Sequence, residues 1–356
     1  MSYKGFPPLP VATYTGNGFG GPGPGGKRVP LDSEGLVIDN EGYFWVSEEY
    51  GPYVYRFNKN GTMVSALQPP EAFLPRRNGT LSFNAASPPR YAPNKMPNPE
   101  DPKTGRNNNQ GLEALTISPD GQTLTVMIQS ALNQEGGPKK KNRQPARLLE
   151  YDISDPKAPI YKHEYAVNLP KYVDYTDEDL DRKVASQSEI LQLPARPGSS
   201  SSGSTNYLIL SRDSDFGAAS ENTLSVYRHA DIFSVSNKTT DLKGKKYDSP
   251  AGSIADSDGD LNEDITPAEY CSFLDYNVNS ELAKFGLHNG GAQDEGLLNE
   301  KWESFVLVPV EPEQEKRQKK IGEKTEYFLF SFSDNDFITQ DGEFLCIHCI
   351  WELAMY

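Results

Sequence analysis

Cysteine, histidine and basic residues are all scarce in this chain of 356 residues, and each scarcity removes a class of protein. Cys271, Cys346 and Cys349 are too few for a disulfide framework, and their odd number leaves at least one thiol over. The Cys-Ile-His-Cys stretch at 346–349 offers two thiolates and His348 to a metal, but a structural zinc site needs a second ligand pair and none follows. Two free thiols in a tail are expected there. Lys and Arg number 35 against 50 Asp and Glu, a formal charge of -15. Nucleic-acid affinity comes largely from clustered cations neutralising phosphates, so no nucleic-acid partner is expected. No apolar run approaches the ~20 residues that cross a bilayer, and polar residues and prolines follow Met1 where a basic-then-apolar leader would stand. Neither a membrane partner nor an export signal is expected of the chain as written.

Several catalytic and binding signatures are missing as well. There is no G-x-S-x-G nucleophile elbow, and Tyr-Arg-His-Ala-Asp at 227–231 keeps only the first two residues of the histidine-acid phosphatase motif R-H-G-x-R-x-P. His229 therefore reads as an ordinary strand residue. Gly16, Gly18 and Gly21 fit G-x-G-x-x-G, and residues 21–27 spell G-x-x-x-x-G-K. Both signatures fail on context: prolines interrupt the glycines, Arg28 stands where a P-loop needs Ser or Thr, and a strand follows where a phosphate-binding helix is required. The glycines read as a flexible loop leading to Glu34. The acidic run at 256–264 imitates a calcium loop, but Gly259 falls at its fourth place and Pro267 at its twelfth, so an acidic surface loop is expected. Helical periodicity is scarce, with its best candidates at 177–191 and 280–286.

Strands dominate what remains. With 36% hydrophobic and 11% aromatic residues the chain can furnish a core. Short β-branched and aromatic runs such as Tyr-Phe-Trp-Val-Ser-Glu at 43–48, Thr-Leu-Thr-Val-Met-Ile-Gln at 123–129 and Thr-Leu-Ser-Val-Tyr-Arg at 223–228 alternate with turn signals such as Asp-Asn-Glu-Gly and Ser-Pro-Asp-Gly. Inserts at 69–110, 194–205 and 235–265 read as surface loops, and the charged run at 311–320 as a solvated one. Asn60, Asn78 and Asn237 each head an Asn-x-Thr sequon, which fits a secreted history.

The strands repeat in units. Segments opening at Asp32, Gly111, Gln187 and Lys301 each place a glutamate, namely Glu34, Glu113, Glu189 and Glu303, just before an apolar strand. A second strand then ends in polar groups: Glu48 and Glu49, Gln129 and Ser130, Asp213 and Asp215, Asp334 and Asp336. In an antiparallel hairpin the start of one strand lies beside the end of the next, so the leading and trailing acids share one edge. Units arranged radially make a β-propeller, whose channel collects corresponding positions, and converging carboxylates call for a cation such as Ca2+ or another hard divalent ion. The other reading is that the four glutamates are turn residues satisfying backbone N–H groups without a metal.

The stretches Asp-Ser-Glu-Gly-Leu (32–36), Phe-Trp-Val-Ser-Glu-Glu-Tyr-Gly-Pro (44–52), Ser-Arg-Asp-Ser-Asp-Phe-Gly (211–217), Phe-Gly-Leu-His-Asn-Gly-Gly (285–291) and Leu-Leu-Asn-Glu-Lys-Trp-Glu-Ser (297–304) together resemble the fungal branch of the phytase-like family, described as having the esterase-like activity of phytase. The resemblance spans residues 10–340. It implies an all-β propeller, an extracellular protein, a hydrolytic activity on esters or phosphate esters, and motif positions at Glu34, Glu113, Glu189, Glu303, Asp213 and Asp215. With no signal peptide, a cytoplasmic location is the alternative expectation for the chain as written. On this resemblance residues 1–30 form a Gly/Pro-rich leader, 31–342 the phytase-like domain, and 343–356 a tail unlike the family. The family resemblance also implies strands beyond both ends, which makes the propeller incomplete.

The expected chemistry is metal-assisted hydrolysis. Ca2+ held by Glu34, Glu113, Glu189, Glu303 and Asp213 would polarise an ester or phosphoryl oxygen, with one acid as general base. Glu49 is the first choice for that base and Asp215 the second, while His288 orients substrate or transfers a proton. Glu48, facing the other way along the strand, is expected to be silent. The competing reading is a non-catalytic extracellular binding propeller that holds a glycan or another protein and keeps a structural Ca2+; a lactonase-like propeller would differ only in substrate. A monomer is expected.

Overall fold

The computed structural model describes residues 7–14, 16–17, 21–29, 31–84, 94, 96–194, 203–218, 220–310, 326–334 and 349–351. The fold is nearly all-β, and no helix among the described residues is long and apolar enough to cross a membrane. None of the described sheets closes on itself. The chain divides into two compact units, Met1–Leu169 with Thr240–Pro267 and Pro170–Thr239 with Ala268–Tyr356.

The first unit opens with a ribbon of β1 (Ala12–Tyr14) and β2 (Gly26–Arg28). Between them Asn17 and Gly21 bond each other: Asn17 donates its N–H to the Gly21 carbonyl at 3.1 Å, and its Oδ1 accepts the Gly21 N–H at 3.0 Å. A strand follows the ribbon, as the failed nucleotide signatures require; Gly18 lies outside the described residues. A four-stranded antiparallel sheet then runs in chain order through β3 (Ser33–Ile38), β4 (Phe44–Glu48), β5 (Val54–Phe57) and β6 (Met63–Leu67). After a small hairpin, β7 (Arg76–Arg77) with β8 (Thr80–Leu81), a second such sheet contains β9 (Leu112–Ile117), β10 (Thr123–Ile128), β11 (Pro145–Asp152) and β12 (Ile160–Asn168).

Turn chemistry sets these hairpins. The Asp39 carboxylate accepts the N–H groups of Glu41 and Tyr43 at 2.9 and 3.0 Å, and Gly42 supplies the positive φ of 72° that closes the β3–β4 turn. The two sheets meet by their leading strands. Gly35 of β3 donates to Ser47 Oγ at 2.9 Å, and that hydroxyl donates to the Glu113 carbonyl at 3.3 Å. A Cβ on Gly35 would stand 2.5 Å from Leu115 Cβ, so glycine is what lets β9 approach. Leu115 is accordingly 2% exposed, whereas its counterpart in the first sheet, Leu36, is 60% exposed.

The segment 240–267 is more than the surface loop expected of it. It carries α1 (Lys245–Asp248) and buries Leu242, Tyr247, Ile254 and Ile265 with Ala166 of β12. It also closes over a buried ion network in which Arg147 pairs with Glu135 and, at 2.8 Å, with Glu164, while the Ile254 N–H donates to Glu135 at 2.9 Å. Scattered apolar residues around a paired charge show no periodicity, so this core escaped the pattern reading.

In the second unit β13 (Lys171–Val173) pairs with β14 (Arg182–Val184), and a sheet follows through β15 (Ser186–Gln192), β16 (Thr205–Arg212), β17 (Arg228–Val235) and β18 (Glu269–Asp275). The helix expected at 177–191 is therefore wrong: Ser186–Gln192 pairs along β16, and its buried residues do not follow a helical face. The expectation at 280–286 fits α2 (Asn279–Leu282) and the 3-10 turn Ala283–Phe285. A last sheet holds β19 (Lys301–Pro309), β20 (Tyr327–Asp334) and β21 (Cys349–Trp351). Leu208, Leu210, Leu298, Trp302, Phe305 and Leu329 share one core, and Ser188 of β15 donates to the Trp302 carbonyl at 2.7 Å, so these two sheets also meet by their leading strands. The strand expected at 223–228 starts only at Arg228, because the Val226 and Tyr227 N–H groups donate to the Asp213 carboxylate at 2.6 and 3.1 Å and so cannot join a ladder. The charged run at 311–320 and the tail at 346–348 lie outside the described residues.

Candidate functional site

The best-formed constellation of acids lies where β3 begins and β4 ends. Ser33 pairs with Glu48 and Leu36 with Val46, so Glu34 and Gly35 together oppose Ser47 in a bulge. A bulge re-aims a side chain, and here it acts on Glu34. The Glu49 N–H donates to the Asp32 carbonyl at 3.1 Å, extending the pairing one step past the strands. One ligand oxygen each from Asp32, Glu34 and Glu49 then lie within 4.8 Å of one another, and no other such group of His, Cys, Asp or Glu occurs among the described residues.

Glu49 is the inner member, 1% exposed. The second sheet covers it: Gly111 passes so close to the Glu49 backbone that a Cβ there would overlap the Glu49 carbonyl. Burial pushes the Glu49 carboxyl well above the usual carboxylate range, and the charges of Glu34 and Asp32 push it further, against an opposing pull from Arg106. Glu49 shares a hydrogen bond with Asp32, yet its Oε1 is buried without a hydrogen-bond partner. Burial, followed by the Asp32 charge, likewise raises the Tyr50 phenol, which hydrogen-bonds Asp32. Arg106 is buried beneath. It donates from Nε to the Tyr50 carbonyl at 3.1 Å and from Nη1 to the Asn107 carbonyl at 3.2 Å, its cation stands 5.7 Å from the Tyr50 ring centre, and burial lowers it to about 10.

Glu48 is not a silent neighbour. It is fully buried and accepts the N–H groups of Tyr50 at 2.9 Å, Tyr53 at 3.3 Å and Gly51, so it builds the turn that carries Tyr50 past the cluster. Burial pushes its carboxyl up to about 7, against the pull of those donors.

The remaining expected residues sit in other settings. Glu113, in the first unit, receives a hydrogen bond from the Gln129 amide while its carbonyl takes the Ser47 hydroxyl. The others belong to the second unit. Glu189 accepts the Ile190 N–H at 2.8 Å, and Glu303 is ion-paired to Arg212 at 2.7 Å. Asp213, raised by burial, accepts Ser225 Oγ at 2.8 Å besides its two backbone donors. Asp215 has a left-handed φ of 72° and donates its N–H to Glu300 at 2.7 Å. His288 bonds the Gly290 carbonyl at 2.7 Å and Asp294 at 2.8 Å, contacts that fix its ring in the loop and raise its pKa. Asp32 opens the first repeat unit but is not among the expected ligands, although its place two residues before Glu34 puts both on one face of an extended chain.

Oxygen-only donors of negative charge suit a hard divalent cation, and an orphaned buried carboxylate oxygen among them fits that donor set. The model of the phytase-like family, described as esterase-like activity of phytase, matches residues 10–267, which include this whole cluster. An uncharacterized secreted protein of Arthroderma benhamiae is 60% identical over 344 residues, covering 96% of this chain but 65% of that relative, so the chain spans somewhat less than two thirds of the relative's length. Match and identity agree, and the chain belongs to the phytase-like family.

Proposed function

We propose that the protein is an extracellular, metal-assisted hydrolase of esters or phosphate esters, built on a β-propeller plan and holding a divalent ion at Asp32, Glu34 and Glu49. The observation that carries this reading is Glu49 Oε1, buried and unpartnered inside a group of three acids. An unsatisfied buried polar group costs about 1–3 kcal/mol, more when charged, and adjacent like charges add to that. A hard cation relieves both. The meeting of successive sheets by their leading strands supports the propeller plan, and the family and the secreted relative support the activity class and location.

When bound, an ion such as Ca2+ supplies Lewis-acid polarisation of an ester carbonyl or phosphoryl oxygen. The residues of the chain do the rest. Asp32 and Glu34 hold the outer side, and Glu49, hydrogen-bonded to Asp32, is the group placed to accept a proton as general base. Tyr50 orients from the rim through Asp32, and Arg106 fixes the carbonyls of the loops behind. In this reading the ligand role falls to Asp32 rather than to Asp213 and Glu303, whose carboxylates are engaged by backbone N–H groups and by Arg212.

The test is thermal melting of chelated and Ca2+-loaded protein alongside hydrolysis of p-nitrophenyl acetate and p-nitrophenyl phosphate. A calcium-dependent rise in melting temperature with hydrolysis of either substrate is expected. A rise without hydrolysis turns the protein into a binding module with a structural ion, and no rise removes the ion.

A further inference from the structure

Each of the three Asn-x-Thr sequons falls on an exposed reverse turn. Asn60 lies in the β5–β6 turn, where Asn58 Oδ1 caps the N–H groups of Asn60 and Thr62 at 3.0 Å each and Gly61 closes the turn at φ 76°. Asn78 lies in the β7–β8 turn with Gly79, and Asn237 in the turn after β17, closed by the Thr239 N–H to the Ser236 carbonyl at 3.0 Å. Asn60, Asn78 and Asn237 are all exposed, and a Cβ built on Gly61 or Gly79 would meet nothing within 4 Å.

Two of these turns are equivalent. In the first sheet β3 begins and β4 ends at the edge that carries Glu34 and Glu49; β5 starts from that edge and runs away from it, so its turn into β6 lies at the far end. In the third sheet Ser186 pairs with Arg212 and Arg212 with Arg228 at the edge near Glu189, whereas Thr205 pairs with Val235 at the far end, two residues before Asn237. Asn60 and Asn237 thus follow the third strand of their sheets, at the end opposite the leading glutamates.

We propose that Asn60, Asn78 and Asn237 carry N-linked glycans, and that those on Asn60 and Asn237 leave the carboxylate-bearing end of each sheet uncovered for ligand. In the transfer, the Asn side-chain nitrogen forms a bond to the anomeric carbon of a lipid-diphosphate-linked oligosaccharide, the carbon–oxygen bond to the diphosphate breaks, and the nitrogen loses one proton as the lipid diphosphate leaves. The proposal rests on the secreted reading and is independent of the ion.

The full chain, directed into the secretory pathway of a yeast and in parallel translated with endoplasmic-reticulum microsomes, is treated with peptide-N-glycosidase in heavy-oxygen water and mapped by mass spectrometry. Heavy-oxygen aspartate is expected at positions 60, 78 and 237, and each of Asn60→Gln, Asn78→Gln and Asn237→Gln should remove one step of gel mobility. The microsome arm reads modification whether or not a variant folds. Unlabelled Asn60, Asn78 or Asn237 in chain protected from protease inside the microsomes overturns the proposal. The calcium-dependent melting shift is read separately on the deglycosylated chain, so loss of that shift counts against the ion alone.

Discussion

Replacing Glu49 with Gln should move stability in opposite directions with and without calcium. The substitution keeps the shape of a side chain that is 1% exposed, removes its charge, and gives it an amide that can donate to Asp32. Without a cation, Glu49→Gln removes a buried charge crowded by Glu34 and Asp32 while leaving its carbonyl oxygen in place, and the chain should gain on the order of 1 kcal/mol as that repulsion goes. With Ca2+ at a hundredfold excess over its dissociation constant, the unaltered chain gains ~2.7 kcal/mol by mass action. For a unit in the 150–250-residue range each kcal/mol shifts melting by ~2–4 °C, so the calcium response should be roughly 5–10 °C in the parent and close to zero in the variant. Differential scanning calorimetry in chelator and in Ca2+ reads both effects. Hydrolysis should fall ~10²–10⁴-fold if Glu49 is the base. A variant that melts below the parent in chelator and keeps the full calcium response would refute the reasoning, because it would mean that Glu49 is neither crowded nor a ligand.

Three further outcomes are expected. Glu48→Gln should lower the melting temperature by roughly 1–3 kcal/mol equivalent, since an amide cannot accept all three N–H groups of Tyr50, Gly51 and Tyr53, while the calcium response persists in calorimetry. Gly35→Ala should destabilise by ~1–3 kcal/mol in a urea titration, because its Cβ would stand 2.5 Å from Leu115 Cβ and 2.7 Å from Ser47 Oγ; an unchanged midpoint would show that the leading strands are not in contact. Asp231 is buried, which by itself would raise it, but His229, the Tyr227 hydroxyl at 2.6 Å and the Phe273 N–H at 2.9 Å together hold it below the usual carboxylate range. Its folded value thus lies below its unfolded one, so its stabilisation is present above the unfolded value of ~3.9 and lost as pH falls through the folded one. Asp231→Asn should weaken the chain at neutral pH and flatten the acid limb of its pH–stability curve.

Most of the strand order was legible because the inner strands combine apolar runs with turns that have a mechanism, as at Asp39 to Gly42, where one carboxylate and one left-handed glycine reverse the chain. Legibility fell with burial. The fourth strands β6, β12 and β18 sit at sheet edges, and Ile160–Asn168 and Glu269–Asp275 leave most of their residues at least partly exposed, so neither hydrophobicity nor alternation marks them. The site shows the same limit in another form. That leading and trailing acids share an edge follows from antiparallel pairing, and Glu34 and Glu49 meet on that ground. Which acids complete the group does not follow, because it depends on partners far apart in sequence: Arg212 takes Glu303 from 91 positions away. Asp32 enters through the regular pairing of its carbonyl with the Glu49 N–H, whereas the aim of Glu34 depends on a bulge at Glu34 and Gly35 that no residue pattern announces, since it is the approach of Leu115 from the next sheet that demands glycine there. Asp32, Glu34 and Glu49 come together because the pairing of β3 with β4 sets them at one edge, where Gly111 lets the next strand close over the Glu49 backbone.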